Sequence, residues 1–306
     1  MHNVSICKRI KNFMLATTSF IMTTLTTMAA TAYMVTAPAF AKTVDCQQVT
    51  GFRMPKGLDV ELQSYCVFSE SLAAVSKNDK WGFLDTKGNI AIPFKYDLAR
   101  NFDDGLAIVR LGSKEGFINR KGKPVIPIEY DEVINFSEGL AAVNRDGKWG
   151  YINKDNQVII PFEYDDTVAF DEGLAQVTKD GKQGFINKEN QMVIPLIYDY
   201  AGWFSEGLGA IKLNDKYGFI DKNNNVVFFT DYYLEYAFSE GRVLVNKGRK
   251  YGFLDTEGNV AVPLIYDEVD WIEKDGITIP GFVNGMARVK KDGEWFYIDN
   301  LGQRID

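Results

Sequence analysis

The sequence predicts an all-β fold built from tandem 34-residue β-repeats, and three observations carry that prediction. The motif Phe136-Ser137-Glu138-Gly139-Leu140-Ala141 has counterparts beginning at Phe68, Phe102, Phe170, Phe204, Phe238 and Phe282; the first six starts lie 34 residues apart and the last step is 44. A pair beginning Trp81-Gly82 returns in the same frame as Glu115-Gly116, Trp149-Gly150, Gln183-Gly184, Tyr217-Gly218, Tyr251-Gly252 and Trp295-Phe296. A third element, Pro93 to Asp97, recurs from Pro127, Pro161, Pro195 and Pro263. A fixed period in this range marks an array in which each copy is one supersecondary unit. No stretch of the repeats carries an apolar 3.6-residue period long enough for a helix.

Within a copy the elements follow from turn residues and short apolar runs. In the third, Leu140 to Val143 reads as a strand, Arg145-Asp146-Gly147 as a turn and Lys148 to Asn153 as a second strand. Lys154-Asp155-Asn156 turns the chain into a third strand, Gln157 to Pro161, and Asp166 to Phe170 has room for a short fourth. No linker or shift of composition interrupts the array, so residues 68–306 are expected to form one domain of seven repeats.

The N-terminus reads differently. Lys8, Arg9 and Lys11 precede an uncharged stretch ending in Ala39-Phe40-Ala41, which gives residues 1–41 the pattern of a cleaved signal peptide. An uncleaved anchor is the alternative, since Phe13 to Val35 is long enough to span a bilayer, but its many threonines dilute it. Residues 42–67 then form an N-terminal segment holding Cys46 and Cys66, expected as one disulfide in an exported chain.

Charge and composition exclude much. The 34 basic residues less the three of residues 1–41 leave 31 against 41 acidic ones, a net charge of −10 for the mature chain. That is a poor match to nucleic acid or an anionic membrane. The only histidine is His2, so the mature chain has none for Ser-His-Asp or Cys-His catalysis or for a His-ligated metal. No D-x-D-x-D calcium spacing and no phosphate-binding glycine loop appears, and neither a cofactor nor a metal is expected.

These motifs resemble the WG-repeat family, named for its Trp-Gly pair. Lys80 to Phe83 (KWGF), Lys148 to Asn153 (KWGYIN), Ile160 to Asp165 (IPFEYD) and Phe136 to Val143 (FSEGLAAV) carry the resemblance over about residues 68–306. It implies a binding module, often exported, without a shared catalytic set. Several copies depart from the pattern: Glu115 and Gln183 replace the Trp, Phe296 replaces the Gly, and Phe229 and Tyr233 stand where other copies have Pro and Asp. Arg242 takes a Leu position, and about ten extra residues near Ile272 to Gly281 suggest local distortion. Seven units of strand–turn–strand order favour a closed propeller-like array, with the N-terminal segment sealing the join. An open or spiral β-solenoid is the alternative.

The recurring positions suggest roles. The residue after the Gly is always aromatic (Phe83, Phe117, Tyr151, Phe185, Phe219, Phe253, Tyr297), which marks core. The Gly itself permits close backbone approach. The Asp of each Tyr-Asp pair reads as a turn former bonding its own backbone. The Trp position tolerates Glu and Gln, so Trp81, Trp149, Tyr217, Tyr251 and Trp295 are expected partly at the surface, as candidate anchors for a partner.

Two functions fit. The first is an exported, non-enzymatic binding module, periplasmic or extracellular, engaging a protein or a glycan and not inserting into the membrane once the signal is removed. The second is a carboxylate-based hydrolase such as a glycosidase. For that, Glu115 and Asp231 are the only acids departing from the repeat pattern.

Overall fold

The structure, a computed structural model, describes residues 44–45, 53, 56, 66–234, 237–274 and 277–305. The signal peptide expected over residues 1–41 and Cys46 of the expected disulfide lie outside them. Seven antiparallel sheets follow one another along the chain, each a meander of four strands in chain order, with Val44–Asp45 added to the first as a fifth. In the third sheet the strands are Glu132–Val133, Ala141–Arg145, Lys148–Ile152 and Val158–Tyr164. No helix among the described residues is long and apolar enough to cross a membrane.

The repeat is phased differently from the sequence expectation. The outer strand runs through the Pro to the Tyr, because that Tyr pairs across the sheet with the Trp position, Trp149 with Tyr164 and Trp81 with Tyr96. The segment expected as a copy's own fourth strand instead opens the next sheet: Leu98–Ala99 pairs with Leu106–Leu111, and Glu132–Val133 with Ala141–Arg145.

The Gly of the Trp-Gly pair lies where the register slips between the third and outer strands. A Cβ on Gly82 would stand 2.6 Å from the Ile92 carbonyl oxygen, and one on Gly150 2.6 Å from that of Ile160. Close approach of two backbones requires glycine here, as the sequence suggested.

The chain divides into two compact units, Ala39–Ala175 with Lys188–Asn190, and Gln176–Asn187 with Gln191–Asp306. In the first, the ring after each Gly packs on the Phe opening the next motif: Phe83 on Phe102 at 4.9 Å, Phe117 on Phe136 at 5.0 Å, Tyr151 on Phe170 at 4.8 Å. In the second the same step links Phe185 with Phe204 at 5.3 Å, Phe219 with Phe238 at 4.7 Å and Phe253 with Phe282 at 4.8 Å. Tilted pairs of this kind add about 0.5–1.5 kcal/mol beyond the area they bury. Six of the seven rings are core as expected. Tyr297 is not: it is 44% exposed, and among the described residues the outer strand beside it is only Arg304–Ile305.

A polar link runs in the same direction. Ser69 Oγ donates to the Phe102 carbonyl at 2.6 Å and Ser137 Oγ to that of Phe170 at 2.7 Å. In the second unit Ser205 and Ser239 donate to Phe238 and Phe282, both at 2.9 Å. The neighbouring Glu accepts from the next copy's turn, Glu70 from the Gly105 N–H at 3.0 Å and Glu240 from the Gly285 N–H at 2.6 Å. Glu138 does the same for Gly173 at 3.2 Å while sitting at φ 51°, a left-handed conformation that few non-glycine residues adopt.

The extra residues that precede the last motif at Phe282 form a separate antiparallel ribbon, Trp271–Lys274 against Ile277–Pro280. The fifth sheet is altered where Phe229 replaces Pro, and its outer strand stops at Val226–Thr230. Arg242 donates to the Asn300 carbonyl at 3.1 Å through Nε and at 3.0 Å through a terminal nitrogen.

Candidate functional site

The Trp position lies on the third strand of each four-stranded meander, opposite the outer-strand Tyr in the first four sheets and the sixth, and opposite Thr230 in the fifth. Trp149 is buried at 6% exposure, while Trp81, Tyr217, Tyr251 and Trp295 are half-buried. Trp81 packs on the cluster holding Phe83, Ala99 and Phe102, and Tyr251 on the cluster holding Phe253 and Phe282. Arg288 lies over the Trp295 ring at 5.1 Å and Lys290 at 5.6 Å. Tyr217 meets Tyr233 edge-on at 5.1 Å.

Glu115 is fully buried, against the expectation that a position admitting Glu and Gln stays at the surface. Its Oε1 accepts from Arg110 Nε at 3.0 Å and from a terminal guanidinium nitrogen at 2.5 Å, and its Oε2 accepts from the Val133 N–H at 3.0 Å. Gln183 plays a similar part: its Oε1 accepts from the Ala201 N–H at 2.8 Å and from Gln176 Nε2 at 2.8 Å. The polar replacements thus bring their own partners and bond the backbone 18 residues on. Charge-assisted bonds offset the cost of burying the carboxylate. The partner arginine, five residues upstream and directly across the hairpin, is the signal that sequence reading missed. Asp231 is exposed.

The Tyr-Asp pairs also differ from expectation. Asp97, Asp131, Asp199 and Asp267 turn away from their own backbone to hold a lysine and the turn of the following hairpin, and Asp165 holds Lys148. Asp131 binds Lys114 Nζ at 2.6 Å and accepts from the Asp146 N–H at 2.8 Å; Asp267 binds Lys250 at 2.6 Å and accepts from the Asp292 N–H at 3.0 Å. Asp97 repeats this with Lys80 and Gly112, and Asp199 with Lys182 and Asn214. The lysine hydrogen bond, above all, holds these four carboxyls below the usual range. The turn-forming role falls instead to Asp85, Asn119, Asn153, Asp221, Asp255 and Asp299, whose side chains accept backbone N–H groups two and four residues on. The paired Tyr is core. Tyr130, Tyr164 and Tyr198 donate to Asn156, Asn190 and Asn224 at 2.8, 2.7 and 2.7 Å, and burial pushes the Tyr164 hydroxyl up to about 12.

One recurring feature is left unused by the core. The first residue of the outer strand, or its neighbour, is an exposed aliphatic in six sheets. Ile90, Val158, Met192, Val226 and Val260 stand 43–56% exposed in the same frame, and Val125 serves in the second sheet. Among the described residues no group of three or more His, Cys, Asp or Glu is placed to hold a metal ion.

The pattern of the family described as "WG containing repeat" matches residues 67–81, 81–114, 116–149, 149–182, 184–217, 217–251 and 251–295. No curated protein matches. Among solved structures, a eukaryotic initiation factor is similar at 13% identity and TM-score 0.48, over 76% of this chain and 72% of that one. Kluyveromyces lactis Hsv2p is similar at 11% identity and TM-score 0.41, over 78% and 96%. PorZ, a bacterial surface component of the type-IX secretion system of Porphyromonas gingivalis, is similar at 7% identity and TM-score 0.33, over 78% and 37%.

Proposed function

The chain belongs to the family of WG containing repeats, and from that premise we propose that it is an exported, non-enzymatic module that binds a protein partner. The observation that carries this reading is the exposed aliphatic residue that recurs at the heads of the outer strands within each of the two units. Isolated surface aliphatics are ordinary, but the same exposed position in successive sheets offers a repeated apolar contact, which suits a protein better than a glycan. The half-buried rings of Trp81, Tyr217, Tyr251 and Trp295 add aromatic contact at the third strands, whereas Trp149 is buried.

The hydrolase alternative draws no support from Glu115, whose two oxygens are taken by Arg110 and Val133 in a fully buried site. In this reading residues 1–41 direct export, the mature chain begins at Lys42, and Cys46 pairs with Cys66. A screen of glycoside and ester substrates with purified mature protein tests the central claim. No turnover is expected. Turnover abolished by Asp231→Asn would establish an enzyme in its place.

A further inference from the structure

We propose that the turn Arg120-Lys121-Gly122-Lys123, with the aliphatic strand heads beside it, is a docking surface for a protein segment carrying acidic and aliphatic side chains. The proposal rests on the binding reading above and gives that binding a place and a partner chemistry.

Three cations fall within four residues here, on a chain of net charge −7. Asn119 Oδ1 accepts the Lys121 and Lys123 N–H groups at 3.0 and 3.1 Å, which fixes the turn. Both lysines are exposed, and neither ammonium has a hydrogen-bonded or ion-paired partner among the described residues. Arg120 donates to the Glu70 backbone carbonyl at 2.7 Å, which leaves its charge uncancelled by that contact. The equivalent turn of the third sheet is different: Lys154 is neutralised by Asp104 at 2.6 Å, and Asp155 follows it. Lys188, one period on, is neutralised by Glu138 at 3.0 Å.

The turn sits against the outer strand of the first sheet. A Cβ on Gly122 would stand 3.1 Å from Ile92 Cγ2, and Tyr96 donates to the Gly122 carbonyl at 3.5 Å. That strand, Ile90–Tyr96, also exposes Ile90 at 56% and Lys95. The strand following the turn exposes Val125 at 38%. Uncancelled positive charge selects an acidic partner and steers its approach. The flanking aliphatics favour a polypeptide over a polyanionic sugar, which has little apolar surface to bury against them.

The test is fluorescence anisotropy on the full chain, with a labelled synthetic peptide alternating glutamate and leucine and with labelled heparin as the sugar polyanion. The peptide should bind and weaken with rising salt. Lys121→Glu with Lys123→Glu should weaken it about tenfold, and Ile90→Ser about threefold, with the thermal midpoint unchanged. Three results would overturn the proposal: no peptide binding, binding indifferent to both variants, or heparin binding as tightly as the peptide with Ile90→Ser silent. The substrate screen answers separately, so a chain that neither turns over nor binds the peptide loses this surface and keeps the non-enzymatic reading.

Discussion

The third and the last copies of the repeat share a fold of four strands and differ at almost every position that reaches toward a following copy. In the third, Ser137 and Glu138 bond the next motif, Tyr151 is buried against Phe170, and Gly150 lets a seven-residue outer strand approach. In the last, Val283 and Asn284 replace the Ser and Glu, Tyr297 is exposed, and Phe296 stands where the Gly was. The outer strand opposite, Arg304–Ile305, pairs with Tyr297 and Ile298, and among the described residues none pairs with Phe296, whose ring packs edge-on near Tyr266. The repeat pattern is therefore a record of the contacts one copy makes with the next, and the last copy departs from it at those same positions.

The ring position should separate the two copies most. Phe117→Ala, which empties a buried site against Phe136, should cost about 3–5 kcal/mol, and Tyr297→Ala well under half of that, by chemical denaturation. Equal losses would break the comparison. The Gly position comes next: Gly150→Ala forces a Cβ against the Ile160 carbonyl and should cost about 1–3 kcal/mol, whereas Phe296→Ala should cost less, since Phe296 is only half-buried. Removing the forward hydroxyl is smaller again. Ser137→Ala should cost about 1 kcal/mol.

The smallest effect is the pH response of the lysine clamps. Asp97, Asp131, Asp199 and Asp267 are held below the ordinary carboxylate range when folded, so the folded state favours their charged form. Their contribution is complete above the unfolded carboxyl value, about 3.9, and is lost as pH falls through the lower folded values. Asp131→Asn should flatten the acid limb of a stability profile. A profile unchanged below pH of about 4 would show that these exposed pairs contribute nothing measurable.

Much of this was legible in the sequence, and the failures have a common cause. Period, β class, the glycine requirement and six of seven core rings follow from residue types that tolerate no polar substitute. Glu115 and the Tyr-Asp carboxylates were misread because their partners lie across a hairpin or in the next turn. Asp131 looks like any turn aspartate until Lys114 and the Asp146 N–H are seen beside it. The phase of the repeat was hidden for a related reason: two-residue strands such as Glu132–Val133 have no periodicity to read. The exposed aliphatic strand heads escaped notice because an aliphatic in a strand is assumed to face inward.

The forward bonds also bear on heredity. Ser69 reaches Phe102 and Ser137 reaches Phe170, each 33 residues ahead, while Glu70 and Glu138 reach glycines 35 ahead. Cutting out any 34 consecutive residues from the regular copies would present each donor with the same acceptor type at the same offset. A deletion of 33 or 35 would break the frame at its junction, and in a strand it would turn side chains to the wrong face. In-frame gain or loss of 34 codons is thus the mutational step this architecture absorbs most readily, and relatives of the chain should differ in length by whole copies.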